Sequence, residues 1–140
     1  MDGFGERFPR LTSRKNPRIT AAARLRDGRQ RRKTGRILID GIREFVRAVD
    51  AGVVVEEVFF DHELFAARRC DLALKDDADR VAAFLEKRQA ESGNVFCVPG
   101  DVFDKLAFGN RKDGIVAVCR EPDTSFDAWV PRERGEPPLV

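Results

Sequence analysis

The chain of 140 residues has no tyrosine, one histidine, one tryptophan and three cysteines. With eleven phenylalanines as the main aromatic stock, the rings are expected to fill a core rather than supply phenolic chemistry. The lone His62, followed by Glu63 at the end of an expected strand, reads as a cap or a solvated group and not as a catalyst. Cys70, Cys97 and Cys119 are odd in number, widely spaced and match no metal-ligand pattern. Cys97 and Cys119 fall inside apolar runs, where a reduced thiol behaves as a small hydrophobe. No stretch approaches the roughly 18 apolar residues of a membrane span. The opening MDGFGERFPR offers no apolar signal segment, so the cytoplasm is the expected location. There is no glycine-rich phosphate loop and no nucleophile motif. Asp76, Asp77 and Asp79 suit the first turn of a helix, where carboxylates favour the dipole.

What is present is charge, unevenly distributed. Hydrophobic residues make up 42% and charged residues 36% of the chain, a composition of globular proteins with a heavily charged exterior. This length fits one domain able to bury about two thirds of its unfolded surface. Met1–Arg36 holds 12 Lys+Arg against 3 Asp+Glu, while the remainder holds 14 against 21, so a net +2 conceals a polarised molecule. Such asymmetry points to a basic surface offered to a polyanion. A nucleic-acid contact, a solvated tail and a membrane-surface anchor all fit that charge pattern.

Along the chain, Met1–Thr12 reads as a flexible start. Asn16-Pro17 is a helix-start signal, and Asp27-Gly28 is expected to stop that helix. Arg29–Arg36 has no apolar residue and reads as a loop. Arg36–Ile39 predicts a strand that passes through Asp40-Gly41 into a helix with Ile42, Phe45, Val46 and Val49 on one face. Glu57–Asp61 predicts a second strand. An irregular segment around Arg68–Leu74 precedes a charged helix over Asp76–Glu91, and Asn94–Val98 predicts a third strand. Asp101 is expected to cap a short helix over Val102–Ala107. Ile115–Cys119, five apolar residues in a row, predicts a central strand covered on both faces. The alternation implies an α/β fold with a mainly parallel or mixed sheet between helical layers. From Glu121 the sequence becomes proline-rich and reads as a linker, and Leu139-Val140 looks like the opening of a further strand.

Three segments in one order carry a resemblance: Leu11–Ile19 (LTSRKNPRI), Thr34–Gly41 (TGRILIDG), and Leu106–Gly109 followed by Gly114–Val118. Together they resemble the N-terminal substrate-binding domain of SpoU/TrmH-type RNA 2′-O-ribose methyltransferases of the SPOUT superfamily, over residues 11–121. The resemblance implies a three-layer α/β/α sandwich similar to the kink-turn-binding ribosomal proteins, with a basic N-terminal arm. It implies residues 13–121 as the RNA domain and 122–140 as a linker toward a C-terminal knotted domain. That further domain would bind S-adenosylmethionine and dimerise the full-length protein, leaving this chain without catalytic residues or cofactor of its own. The partner implied is structured RNA, either rRNA or tRNA, and not a membrane. Two positions depart from the family pattern. Asp40 stands where Glu is common before the glycine, and Lys112-Asp113 stands where many members have His-Gln before Gly114.

The candidate RNA-binding residues form three groups. Arg14, Lys15 and Arg18 enter the first helix, and Arg29, Arg31, Arg32, Lys33 and Arg36 crowd the stretch before the first strand. Such side chains neutralise phosphates, and Arg can also stack on unpaired bases. By likeness to kink-turn-binding proteins, Arg43, Glu44 and Arg47 form the second group, for which a solvated helix face is the alternative. Arg111 and Lys112 are the third, for which an ordinary surface turn is the alternative. The function expected is RNA recognition for a methyltransferase, with rRNA as the first expectation for its substrate. A stand-alone ribosomal-protein-like module and a protein–protein adaptor with an acidic partner remain the competing readings.

Overall fold

The computed structural model describes residues 4–107 and 113–121. Four strands form one mixed sheet: β1 (Arg36–Asp40), β2 (Val55–Phe60), β3 (Val95–Cys97) and β4 (Ile115–Arg120), in spatial order β1-β4-β2-β3. β4 runs antiparallel to both β1 and β2, while β2 and β3 are parallel. The apolar run of β4 is central and buried, as its composition predicts.

The period of two along a strand divides that run between two cores. Ile115, Ala117 and Cys119 pack on one face with α3 (Ile42–Asp50), α4 (His62–Arg69) and α5 (Lys75–Glu91). Val116 and Val118 pack on the other with α1 (Pro17–Arg24) and α6 (Gly100–Ala107). The expected stripe of α3 is seen: Ile42, Phe45 and Val46 are buried and Val49 packs against them. Asn16 caps α1 by accepting from the Arg18 N–H at 2.8 Å, with Pro17 in the first turn. Burial pushes the Cys119 thiol up to about 11 and raises that of Cys97, as befits core residues.

Four expectations are corrected. The opening residues are not loose from Phe4 onward. Phe4 and Phe8 are buried against Phe60, and Pro9–Leu11 lies along β3, exchanging hydrogen bonds with Cys97 at 2.9 and 3.0 Å. That strand-like pairing covers an edge that would otherwise expose unpaired backbone. Asp27-Gly28 does not end the helical region but restarts it: α2 spans Gly28–Thr34, capped by Asp27 through the Arg29 N–H and closed by Gly35 at φ 69°. α2 buries none of its residues, so apolar periodicity could not reveal it. α4 is likewise unmarked in the sequence. It is capped by Asp61, rather than by His62, and buries Phe65 alone. Finally, α6 begins at Gly100, which puts Asp101 inside the first turn and not at the cap.

Candidate nucleic-acid interface

α2 runs alongside edge strand β1. Its start lies near the end of β1, because the adjoining Arg26 guanidinium donates to Asp40 Oδ2 at 2.9 Å. Its end joins the beginning of β1 through Gly35. Seven helical residues cover about 10 Å, so Arg29, Arg32 and Lys33 are spread along one side of the sheet, all exposed. Arg31, in their midst, has another task. Its Nη1 donates to the Leu25 and Arg26 carbonyls at 3.0 and 3.1 Å, satisfying acceptors left free where α1 ends.

The remaining sequence candidates sort in the same way. Lys15 is exposed, and among the described residues Arg14 reaches a backbone carbonyl alone, that of Asp101 at 3.3 Å. Arg18 pairs with Glu57 and lies over the Phe96 ring at 5.0 Å. Arg36 pairs with Glu56, which also takes Arg120 at 3.2 Å. The hydrogen bond from Arg36, then that from Arg120, holds the Glu56 carboxyl below its usual range against the opposing effect of burial. On α3, Arg43 and Arg47 are exposed while Glu44 is half-buried. Arg111 and Lys112 lie outside the described residues. Arg24, exposed on α1, belongs with the open cations but gives no signal in sequence beyond its charge. Among the described residues, Arg14, Lys15, Arg24, Arg29, Arg32, Lys33, Arg43 and Arg47 meet no carboxylate.

The Gly41 turn and the flanks of the 108–112 segment meet at one end of the sheet. Gly41 N–H donates to the Ile115 carbonyl at 3.2 Å, and Arg26 ties the Leu106 carbonyl to Asp40. Gly41 has no side chain with which to cap α3. The buried Asp113 performs that role from across the turn, its Oδ2 accepting from the Ile42 N–H at 2.9 Å and its Oδ1 facing Arg68 at 3.2 Å. A carboxylate at a helix start also complements the dipole. The departure at Asp113 is therefore an inward-facing, structural one and leaves the outer charge of this end to its neighbours. Gly114 is required there: at φ +76°, an added Cβ would lie 2.6 Å from Leu64 Cβ and 2.8 Å from the Phe65 nitrogen.

Among the described residues no cluster of His, Cys, Asp or Glu suits a metal, and no helix is long and apolar enough to cross a membrane. The glycines with left-handed backbone, at 35, 41, 52, 93 and 114, stand singly in the sequence.

Residues 16–117 match the model of the MRM3-like substrate binding domain. Solved structures share the fold. One described as an RNA 2′-O ribose methyltransferase is 28% identical, with a TM-score of 0.61 over 88% of this chain and 42% of its own. An rRNA methyltransferase from Sinorhizobium meliloti is 16% identical, with a TM-score of 0.61 over 83% and 38%. The SpoU methyltransferase AviRb from Streptomyces viridochromogenes, solved with AdoMet, is 20% identical, with a TM-score of 0.53 over 84% and 40%. The chain thus spans about two fifths of the length of these structures. No curated protein sequence matches it.

Proposed function

The chain belongs to the MRM3-like substrate-binding domain family, and from that premise we propose that it grips ribosomal RNA on behalf of a ribose 2′-O-methyltransferase. The observation that carries this reading is the partition of its cations. Of the eight described cations from residue 68 onward, five, Arg68, Arg69, Lys75, Arg80 and Arg120, face a carboxylate, and Arg88 and Lys105 are held by oxygens of the fold. Between residues 14 and 47, nine of the twelve cations face none among the described residues, and of those nine only Arg31 is spent on holding the end of α1. Leaving so many like charges unpaired on short, adjoining elements costs self-repulsion, which a polyanion relieves.

In this reading Arg29, Arg32 and Lys33 on α2 and Arg43 and Arg47 on α3 contact phosphates. Arg14, Lys15 and Arg24 extend the surface over α1, and Arg111 and Lys112 extend it at the Gly41 end. Arg18 and Arg36 contribute the guanidinium edges left over from their glutamate partners. Arg31 serves the fold instead, and Glu44, half-buried between Arg43 and Arg47, stays with them as a proposed contact. The helix–sheet–helix layering is what we propose the domain shares with kink-turn-binding ribosomal proteins. Residues 122–140 would lead to a knotted domain that binds S-adenosylmethionine and pairs two protomers in the cytoplasm. In this reading methyl transfer is assigned to that other domain and no step of it to this one.

With ~4–6 phosphate contacts, log Kd against log salt should have a slope of about 3 to 5 in magnitude. Fluorescence anisotropy with a structured rRNA fragment, titrated at low and at high salt, measures it. A flat response would contradict the reading.

A further inference from the structure

At the end of the sheet opposite the Gly41 turn lies a cleft of about 700 Å³, within the size range of small-molecule sites. Its floor is apolar, formed by Ala21, Ala22 and Val118. Its walls carry both charge signs, and an irregularity in β2 is responsible. The register between β2 and β4 shifts between Val55 and Glu57. A bulge of this kind sets two successive residues against one on the partner strand and re-aims their side chains. Glu56 and Glu57, neighbours that a regular strand would point to opposite faces, both line the cleft.

The two carboxylates differ in what they have left to offer. Glu56 is fully engaged, Oε1 by Arg36 and Oε2 by Arg120. It thereby fixes two guanidinium groups at the rim, whose side chains are still 48% and 67% exposed and keep their other N–H groups open to a ligand. Glu57 gives Oε2 to Arg18, and its Oε1 takes no hydrogen bond among the described residues. Arg18 itself is held over Phe96, which fixes the Glu57 carboxylate from outside the cleft and leaves Oε1 as its open acceptor.

A ligand that suits this arrangement has an anionic group for Arg36 and Arg120, a flat body for the apolar floor, and N–H donors for Glu57. We propose that the cleft binds one unstacked nucleotide of the RNA, with guanine as the preferred base. The Watson–Crick edge of guanine offers two adjacent N–H donors that the one open oxygen, Glu57 Oε1, can accept together on its two lone pairs. Adenine and cytosine set a bare ring nitrogen beside their amino group, and uracil flanks its single N–H with carbonyls, so each places lone pairs against Glu57. Unstacked bases are the usual target of sequence-specific RNA recognition. The proposal rests on the RNA reading above and adds a base-selective site at the far end of the sheet from the Gly41 turn.

The test uses the full chain and two fluorescein-labelled pentamers, UUGUU and UUUUU, at one salt concentration. The expected ratio of affinities is about tenfold in favour of UUGUU, the discrimination of one well-made base contact. Glu57→Gln should bring the ratio close to one, although removal of a negative charge tightens both pentamers. Ala21→Phe, at an exposed position on α1 lining the cleft, should do the same without touching an ion pair. GMP added to labelled protein should shift the Glu57 and Val118 amide resonances. Equal affinity for both pentamers in the parent, or preference retained in both variants, overturns the cleft as the site. If structured rRNA itself fails to bind with a salt-dependent affinity, the RNA reading falls. If it binds while the pentamers are not distinguished, the cleft proposal falls alone.

Discussion

Asp113 shows how one side chain can be misjudged from its surroundings in sequence. It follows Arg111-Lys112 in a polar stretch that reads as a surface turn, and its carboxylate alters the local charge on paper. In the structure it is buried and caps α3. Asp113→Ala would leave the Ile42 N–H without its acceptor and Arg68 without this partner, at a cost of about 1–3 kcal/mol. Urea unfolding should show the midpoint move to lower denaturant with unchanged slope; an unchanged midpoint would refute the capping role. Arg31 makes the same point among cations. Nothing in the run Arg29–Lys33 distinguishes it, because its role depends on two carbonyls at the end of the preceding helix, a geometry that charge counting does not contain.

At the level of elements, legibility follows burial. α3 and β4 are readable because their apolar residues recur with the period of the structure they form. α2 is not, since a helix that buries nothing has no stripe; only the Asp27 cap and the Gly35 stop are there to be read, and Asp27-Gly28 also fits a turn. α4 has a single buried residue, Phe65, too little to set a period. The first residues mislead because charge and glycine dominate them, while Phe4 and Phe8 count for more in energy than the polar residues between them. Phe8→Ala should cost about 3–5 kcal/mol and lower the melting temperature by calorimetry. A loose segment would give no change. Without the Phe8 anchor the edge of β3 that Pro9–Leu11 covers would also be freed, so increased self-association is the accompanying sign.

Over the whole molecule, the polarised charge seen in the sequence becomes a difference in pairing. Cations beyond residue 68 mostly close ion pairs, whereas those on α1, α2 and the start of α3 largely face solvent. The mixed α/β architecture, the central strand and the basic surface are legible from pattern and composition. The division of that surface into gripping and fold-holding residues is not, because Glu56 and Glu57 reach Arg36 and Arg18 across 20 and 39 positions of chain. The unpaired cations of α2 are proposed to hold RNA phosphates. Replacing Arg29, Arg32 and Lys33 with glutamine together, leaving Arg31 and Arg36 in place, and measuring affinity for structured rRNA against salt decides whether they do. The three side chains are exposed, so thermal stability should be nearly unchanged while binding weakens. The slope should become shallower by about one for each phosphate no longer neutralised. Affinity and slope equal to those of the parent would rule out α2 as an RNA contact.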